Sequence, residues 1–311
     1  MLRFYTSDAQ GNKTELKSIF SAVIDCDVLV PADSLKLEMK YSKSVFEEAA
    51  RIIAEDGGKI VFSGGIDSIT SEKRGGAEVI SIRARSAAAL LLDNEAEPMD
   101  INAPSEEFVF RRILFPFNIT PADSEGKALD GRLKIHKGMS VWQALEGFCR
   151  QLYGSTPKIT ADGKAYFKGL PGGEAVSFGD EGVKFFSIAE KRSPYRLISR
   201  VKLKSFPDGG YISVIANTNP EAAAVSRERF VDVSTGSRSL ATAMKMIENS
   251  NRNSYSAVLK CPGCLLKLLG RRAEIVSGKA YARGGLLVRG VRYHESGKGA
   301  FSTVTLEREW T

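Results

Sequence analysis

Histidine, tryptophan and cysteine are scarce in this chain, with 2, 2 and 4 copies in 311 residues. The two histidines, His136 and His294, do not stand at zinc-finger spacing, and four cysteines are too few for a disulfide framework, so free thiols are expected. Long apolar runs are missing too. The longest, Ala87 to Leu92 and Cys264 to Leu269 (broken by Lys267), fall far below the roughly 20 residues a membrane helix needs, so no membrane insertion is expected. The first residues carry no apolar segment of a secretory signal, and synthesis in a cytoplasm is expected. Blocks of basic residues are absent: Arg111-Arg112, Lys191-Arg192 and Arg271-Arg272 are pairs. The net charge of +7 therefore reads as a solvated surface or a charged subunit interface, not a specific nucleic-acid groove. Nucleotide-binding and hydrolase signatures (P-loop, GxGxxG, GxSxG, HExxH) do not occur.

What is present is ordinary globular sequence, 43% hydrophobic and 26% charged, about two domains long. Strand signals dominate the first hundred residues. Leu2 to Tyr5 and Ser18 to Asp27 flank a turn at Asp8 to Lys13, and Ser34 to Lys40 (SLKLEMK) alternates with period two. A helical turn is expected over Glu47 to Ala54. Two further strands flank EKRGGA (Glu72 to Ala77), whose glycines suit a hairpin, before the short apolar helix Ala87 to Leu92. Short sequential strands joined by Gly-rich turns favour a barrel or sandwich over a βαβ sheet.

Asp93 to Glu107, with Pro98 and Pro104, reads as a linker or crossover. A compact α/β pattern follows. Arg132 to Ile135 is a strand, Ser140 caps the amphipathic helix Val141 to Tyr153, Gly154 ends it, and Ala161-Asp162-Gly163-Lys164 makes a hairpin turn. Gly169 to Gly182 reads as its exit. Beyond Val183 the strand texture returns at Tyr195 to Ser205, Tyr211 to Ile215 and Arg229 to Val233, with a turn at Pro207 to Gly210. A helix capped by Ser237 or Ser239 is expected to bury Leu240, Ala243, Met244 and Ile247. Tyr255 to Leu259, Ala273 to Val276, Gly285 to Tyr293 and Phe301 to Leu306 complete the strands.

Candidate chemistry is thin. Cys261-Pro262-Gly263-Cys264 has CxxC spacing, for which a structural turn outweighs zinc or thiol exchange, since a zinc site needs about four ligands. Cys149 could pair with His136 or His294 as a nucleophile, but it lies on the apolar face of the Val141–Tyr153 helix. Asp25 and Asp27 share a strand face without a third ligand. Gly64-Gly65 suits a bulge better than a phosphate loop. No catalytic residue, metal site or cofactor is expected.

Three places carry a family resemblance: FSGGIDSI with VISIRARSAAALLL (Phe62 to Leu92), GMSVWQALEGFCRQLYG with ITADG (Gly138 to Gly163), and AEIV with LLVRGVRYHESGKGAFSTVTLERE towards the C-terminus. In this order the chain resembles the baseplate hub proteins of contractile phage tails and related injection particles, of the late-control-D and Mu-type hub family. The resemblance implies an α+β, mainly β fold with two tail-tube-like β-barrel domains, 1–100 and 183–311, around a small α/β module, 101–182. It implies a non-enzymatic homotrimer that adapts a six-fold tail tube to a three-fold central spike, within a virion or phage-tail-like particle assembled in a bacterial cytoplasm. Other baseplate proteins and a tape-measure protein are further partners it suggests. The expected inter-subunit surface is the hairpin tip Glu72, Lys73 and Arg74 and the loop residues Leu265, Leu266, Lys267, Leu268, Leu269, Arg271 and Arg272. Arg132 to Tyr153 also resembles a LysM repeat, which makes glycan or cell-wall binding the rival reading.

Overall fold

A computed structural model describes residues 1–204, 209–232, 239–277 and 281–309. The side chains of Arg74 and Tyr281 lie outside that description, as do Ser205, Pro207, Asp208, Val233 and Ser237, where the sequence places strand ends, a turn and a helix cap. The chain forms two compact units, 1–172 with 261–270 and 289–303, and 173–260 with 271–288 and 304–311. Antiparallel strands dominate, so the fold is α+β and mainly β, as the sequence indicates. Among the described residues no helix is long and apolar enough to cross a membrane.

The first unit opens with β1 (Arg3–Ser7), β2 (Lys13–Glu15), β3 (Ile19–Asp27), β4 (Ser34–Lys40), α1 (Lys43–Glu48), β5 (Arg51–Asp56), β6 (Lys59–Arg74), β7 (Ala77–Ser86) and α2 (Ala88–Asp93). The strands pair antiparallel in the order β3-β4-β7-β6-β5-β1-β2. Period-two alternation works as the sequence indicates: Leu35, Leu37 and Met39 of β4 are all buried, with Ile24, Phe62, Ile80 and Ile82 buried on neighbouring strands. The expected helical turn over Glu47 to Ala54 is corrected. The helix ends at Glu48, and Arg51–Asp56 is a strand that buries Ile52 and Ala54. Alternating burial there overrides the helix propensity of the Glu and Ala residues.

The unit continues through β8 (Met99–Asn102), α3 (Glu106–Val109), β9 (Thr120–Pro121), β10 (Arg132–Ile135), α4 (Val141–Tyr153), β11 (Lys158–Ile159) and β12 (Lys164–Tyr166). The linker expected over Asp93 to Glu107 contains β8, which pairs antiparallel with β10. Helix α4 carries a full capping box: the Gln143 amide N–H donates to Ser140 Oγ, and the Ser140 N–H donates to Gln143 Oε1. Gly154 closes the helix at φ +67°. Trp142, Leu145, Phe148 and Cys149 face a core shared with Leu91, Leu133, Ile159 and Phe167.

The second unit is built on β13 (Val176–Gly179), β14 (Ser187–Arg192), β15 (Arg200–Leu203), β16 (Ser213–Ala216), β17 (Glu228–Val231), α5 (Ser239–Arg252), β18 (Tyr255–Pro262), β19 (Arg272–Ser277), β20 (Tyr281–Ser296) and β21 (Gly299–Arg308). Strands β18, β20 and β21 contribute residues to both units. The main order is β14-β18-β21-β20-β19-β13, with β13 parallel to β19. The long strand expected at Tyr195 shrinks to Arg200–Leu203, because Pro194 opens a 3-10 turn through Arg196. On α5, Ala243 and Ile247 are buried, whereas Leu240 and Met244 are exposed, contrary to expectation. Among the described residues the pairings show no barrel closure.

The late strands repeat the early ones. β5, β6 and β7 have 6, 16 and 10 residues, and so do β19, β20 and β21. Each position of the β6–β7 hairpin has a counterpart 222 residues on: Lys59 at Tyr281, Arg74 at Ser296, Ala77 at Gly299. Register repeats as well. Arg51 and Asp56 lie opposite Gly65 and Lys59, as Arg272 and Ser277 lie opposite Leu287 and Tyr281. Tyr41 N–H donates to the Glu78 carbonyl at 3.0 Å, and Gly263 N–H donates to the Ala300 carbonyl at 3.1 Å. β14 lies on β18 as β3 lies on β4, with Ser187 opposite Lys260 where Ser21 is opposite Glu38.

Candidate assembly surfaces

The β6–β7 hairpin closes through Gly75 and Gly76 at φ +56° and +85°, the two positive values a type I′ turn requires. Arg74 pairs with Ala77 and Lys73 with Glu78, so the strands stay in register to the tip. Glu72 and Lys73 are exposed there. The Arg74 backbone ends β6; its side chain lies outside the described residues.

The second candidate segment is divided. Leu265 to Leu269 belong to the first unit, and Arg271 and Arg272 to the second. Ser302 Oγ accepts from Leu265 N–H at 3.0 Å and donates to the Gly263 carbonyl at 2.8 Å, anchoring the loop. The 3-10 turn Leu266–Leu268 then points Leu266 and Leu268 inward, 6% and 5% exposed. Those two leucines are spent on the chain's own core, while Lys267 is exposed and Leu265 and Leu269 are half-buried. Arg271 is half-buried, and Arg272 is exposed with its guanidinium 2.5 Å from Glu309.

The candidate chemical groups lie on strands, in a turn and in the core. Cys261 and Pro262 form the end of β18, and the turn begins at Gly263 (φ +75°). Burial pushes the Cys261 thiol up to about 11 and raises Cys264 as well. Cys149 and Cys26 are buried, and burial raises both thiols, leaving them protonated near neutrality. Asp25 and Asp27 face cross-strand arginines, Arg292 at 3.7 Å and Arg289 at 3.2 Å. His294 stacks on Phe301, ring centroids 4.7 Å apart. No group of three or more His, Cys, Asp or Glu side chains able to hold a metal occurs among the described residues. Helix α4, part of the Arg132 to Tyr153 segment with the LysM resemblance, turns its apolar face into the core.

Two features have no obvious sequence signature. Lys158 is buried, with its ammonium donating to Asp33 Oδ1 at 2.7 Å and to the Asp27 and Val30 carbonyls at 3.0 and 2.9 Å. Glu106 is also buried. It accepts from Ser124 Oγ, the Glu125 and Lys127 amides and the Tyr153 hydroxyl. Burial pushes against its ionisation, but these donors outweigh that and hold the carboxyl below its usual range.

The fold is that of phage tail proteins. The structure matches the tail protein from Neisseria meningitidis MC58 with a TM-score of 0.78, over 99% of this chain and 98% of that one, at 18% identity. It matches the 43 kDa tail protein of prophage MuSo2 from Shewanella oneidensis at TM-score 0.80, with the same coverage and 14% identity. A chain of the Francisella PdpA–VgrG complex matches at TM-score 0.60 over 99% of this chain and 58% of its own length, at 9% identity. No protein-family model and no curated protein matches the sequence.

Proposed function

We propose that this protein is a structural hub of a contractile tail or injection particle, working as a homotrimer between a six-fold tail tube and a three-fold central spike. One observation carries the reading: a chain with the tail-protein fold contains the same strand set twice. Three chains would present six equivalent strand sets to a six-fold tube while keeping three-fold symmetry for a spike. In this reading 1–100 and 183–311 are the two tube-like domains and 101–182 the inserted module. The hairpin tip Glu72 to Arg74, and Leu265, Lys267, Leu269, Arg271 and Arg272, face neighbours. Leu266 and Leu268 support that loop from within.

The match to a chain of a PdpA–VgrG complex supports a spike-side partner. Tail tube protein, other baseplate proteins and a tape-measure protein complete the set, in a virion or phage-tail-like particle. The role is scaffolding, without catalysis. Purified chain mixed with its cognate tail-tube protein tests this by electron microscopy. Tubes capped at one end by a ring are the expected result; bare tubes and unattached chain would overturn it.

A further inference from the structure

Within the chain, the outer half of β20 is paired on both sides. Gly290 to Ser296 lie antiparallel on Asp27 to Ser21 of β3, with Arg292 opposite Asp25 and Tyr293 opposite Ile24. All of these residues belong to the first compact unit. Their counterparts in the other strand set are not so covered. Among the described residues the outer half of β6, from Asp67 to Arg74, pairs with β7 alone, because β5 reaches only Gly65. Among the described residues β14, the counterpart of β3, likewise pairs with β18 alone and ends the strand order.

Burial follows the pairing. Val291, Tyr293 and Glu295 of β20 are buried, whereas Ile69 and Ser71 are half-buried and Lys73 is exposed at the matching β6 positions. β14 is exposed at every position except the half-buried Ile188, while Ala22, Ile24 and Cys26 of β3 are buried. Two strand edges of matching direction and length are thus left open, and open edges are templates for pairing with another chain.

The geometry points to the outer half of β6 as the docking edge for β14 of a second copy of this chain, in the register that β20 and β3 already use. Carrying that register over by the internal repeat sets Thr70 opposite Lys191 and Ser71 opposite Glu190. Glu72 then stands diagonal to Lys191, and Lys73 diagonal to Glu190, so opposite charges meet on both faces. The contact is head-to-tail, and the same joint occurs once inside each chain and once between chains. Such a contact closes into a ring when its rotation permits. The inference rests on the trimeric reading and names the strands and register by which the ring would close.

Engineered cysteines test it in the full chain. Thr70→Cys with Lys191→Cys, and Ser71→Cys with Glu190→Cys, cover both kinds of antiparallel pair, of which the closer suits a disulfide. Thr70→Cys with Ala189→Cys is the control, on the same face but two residues out of register. After mild oxidation of the assembled sample, at least one in-register variant should run as a covalent three-chain species on a non-reducing gel. The control should form at most about a tenth as much, since its positions are diagonal, about 7–8 Å apart. Mixing the two single variants Thr70→Cys and Lys191→Cys should give a cross-linked pair, which excludes a bond within one chain. Solution mass is measured on the same samples. A three-chain mass with no in-register cross-link, or with the control equal to it, overturns the register and leaves the hub reading standing. A single-chain mass overturns both.

Discussion

Lys158 and Asp33 form a buried ion pair, Nζ to Oδ1 2.7 Å, with side chains 3% and 9% exposed. The pair joins β11 to the loop between β3 and β4, and the same ammonium holds the carbonyls of Asp27, the last residue of β3, and of Val30 in that loop. Burial raises the Asp33 carboxyl above its usual range, and Lys158 counters that rise without cancelling it. Lys158→Met leaves a buried carboxylate without its partner and should cost about 3–5 kcal/mol at pH 7. A carboxyl whose native pKa exceeds its unfolded value costs stability above the unfolded value, and the cost disappears as pH falls below it. The Lys158→Met deficit should therefore shrink between pH 7 and pH 4.5 in urea titrations. Adding Asp33→Asn should recover part of it at pH 7.

Glu106 gives the opposite pH sign. Its native pKa lies below the unfolded value, so its contribution is complete above the unfolded pKa of about 4.3 and is lost as pH falls through the native one. Glu106→Gln should lower stability by about 1–3 kcal/mol at pH 7, since buried donors lose their charged acceptor. The difference from the parent should narrow below pH 4. A constant difference across that range would contradict the assignment.

Adjacent glycines of β6 should behave differently. A Cβ on Gly64 would run into the Arg85 carbonyl of β7, whereas one on Gly65 meets nothing within 4 Å. Gly64→Ala should cost about 1–3 kcal/mol by thermal or urea unfolding. Gly65→Ala should change stability by about 0.5 kcal/mol or less.

The thiols provide a fourth check. Cys26, Cys149 and Cys261 are buried and Cys264 is half-exposed. Native protein at pH 8 should react with a thiol reagent at no more than one of its four cysteines within minutes, and at all four once denatured. Rapid reaction of two native thiols would reopen the redox reading of Cys261 and Cys264.

Local signals were the legible ones. Ser140 and Gly154 mark the two ends of α4, Gly75-Gly76 marks the hairpin, and SLKLEMK shows which face of β4 is buried. What depends on distant partners was hidden. Leu266 and Leu268 look like surface leucines beside Lys267 until their turn packs inward, and β8 looks like linker until β10 pairs with it. Lys158 reads as an ordinary strand lysine because Asp33 is 125 residues away in sequence. In the sequence the internal repeat shows only as the strand texture that returns beyond Val183. Side-chain identity has diverged between SLKLEMK and SAVLKCP, while length, register and alternating burial persist.

Solution mass at micromolar concentration tests the central claim most directly. Light scattering or native mass spectrometry should find a species of three 33.8 kDa chains. A species that remains one chain at every concentration, with tail-tube and spike proteins added, would contradict it.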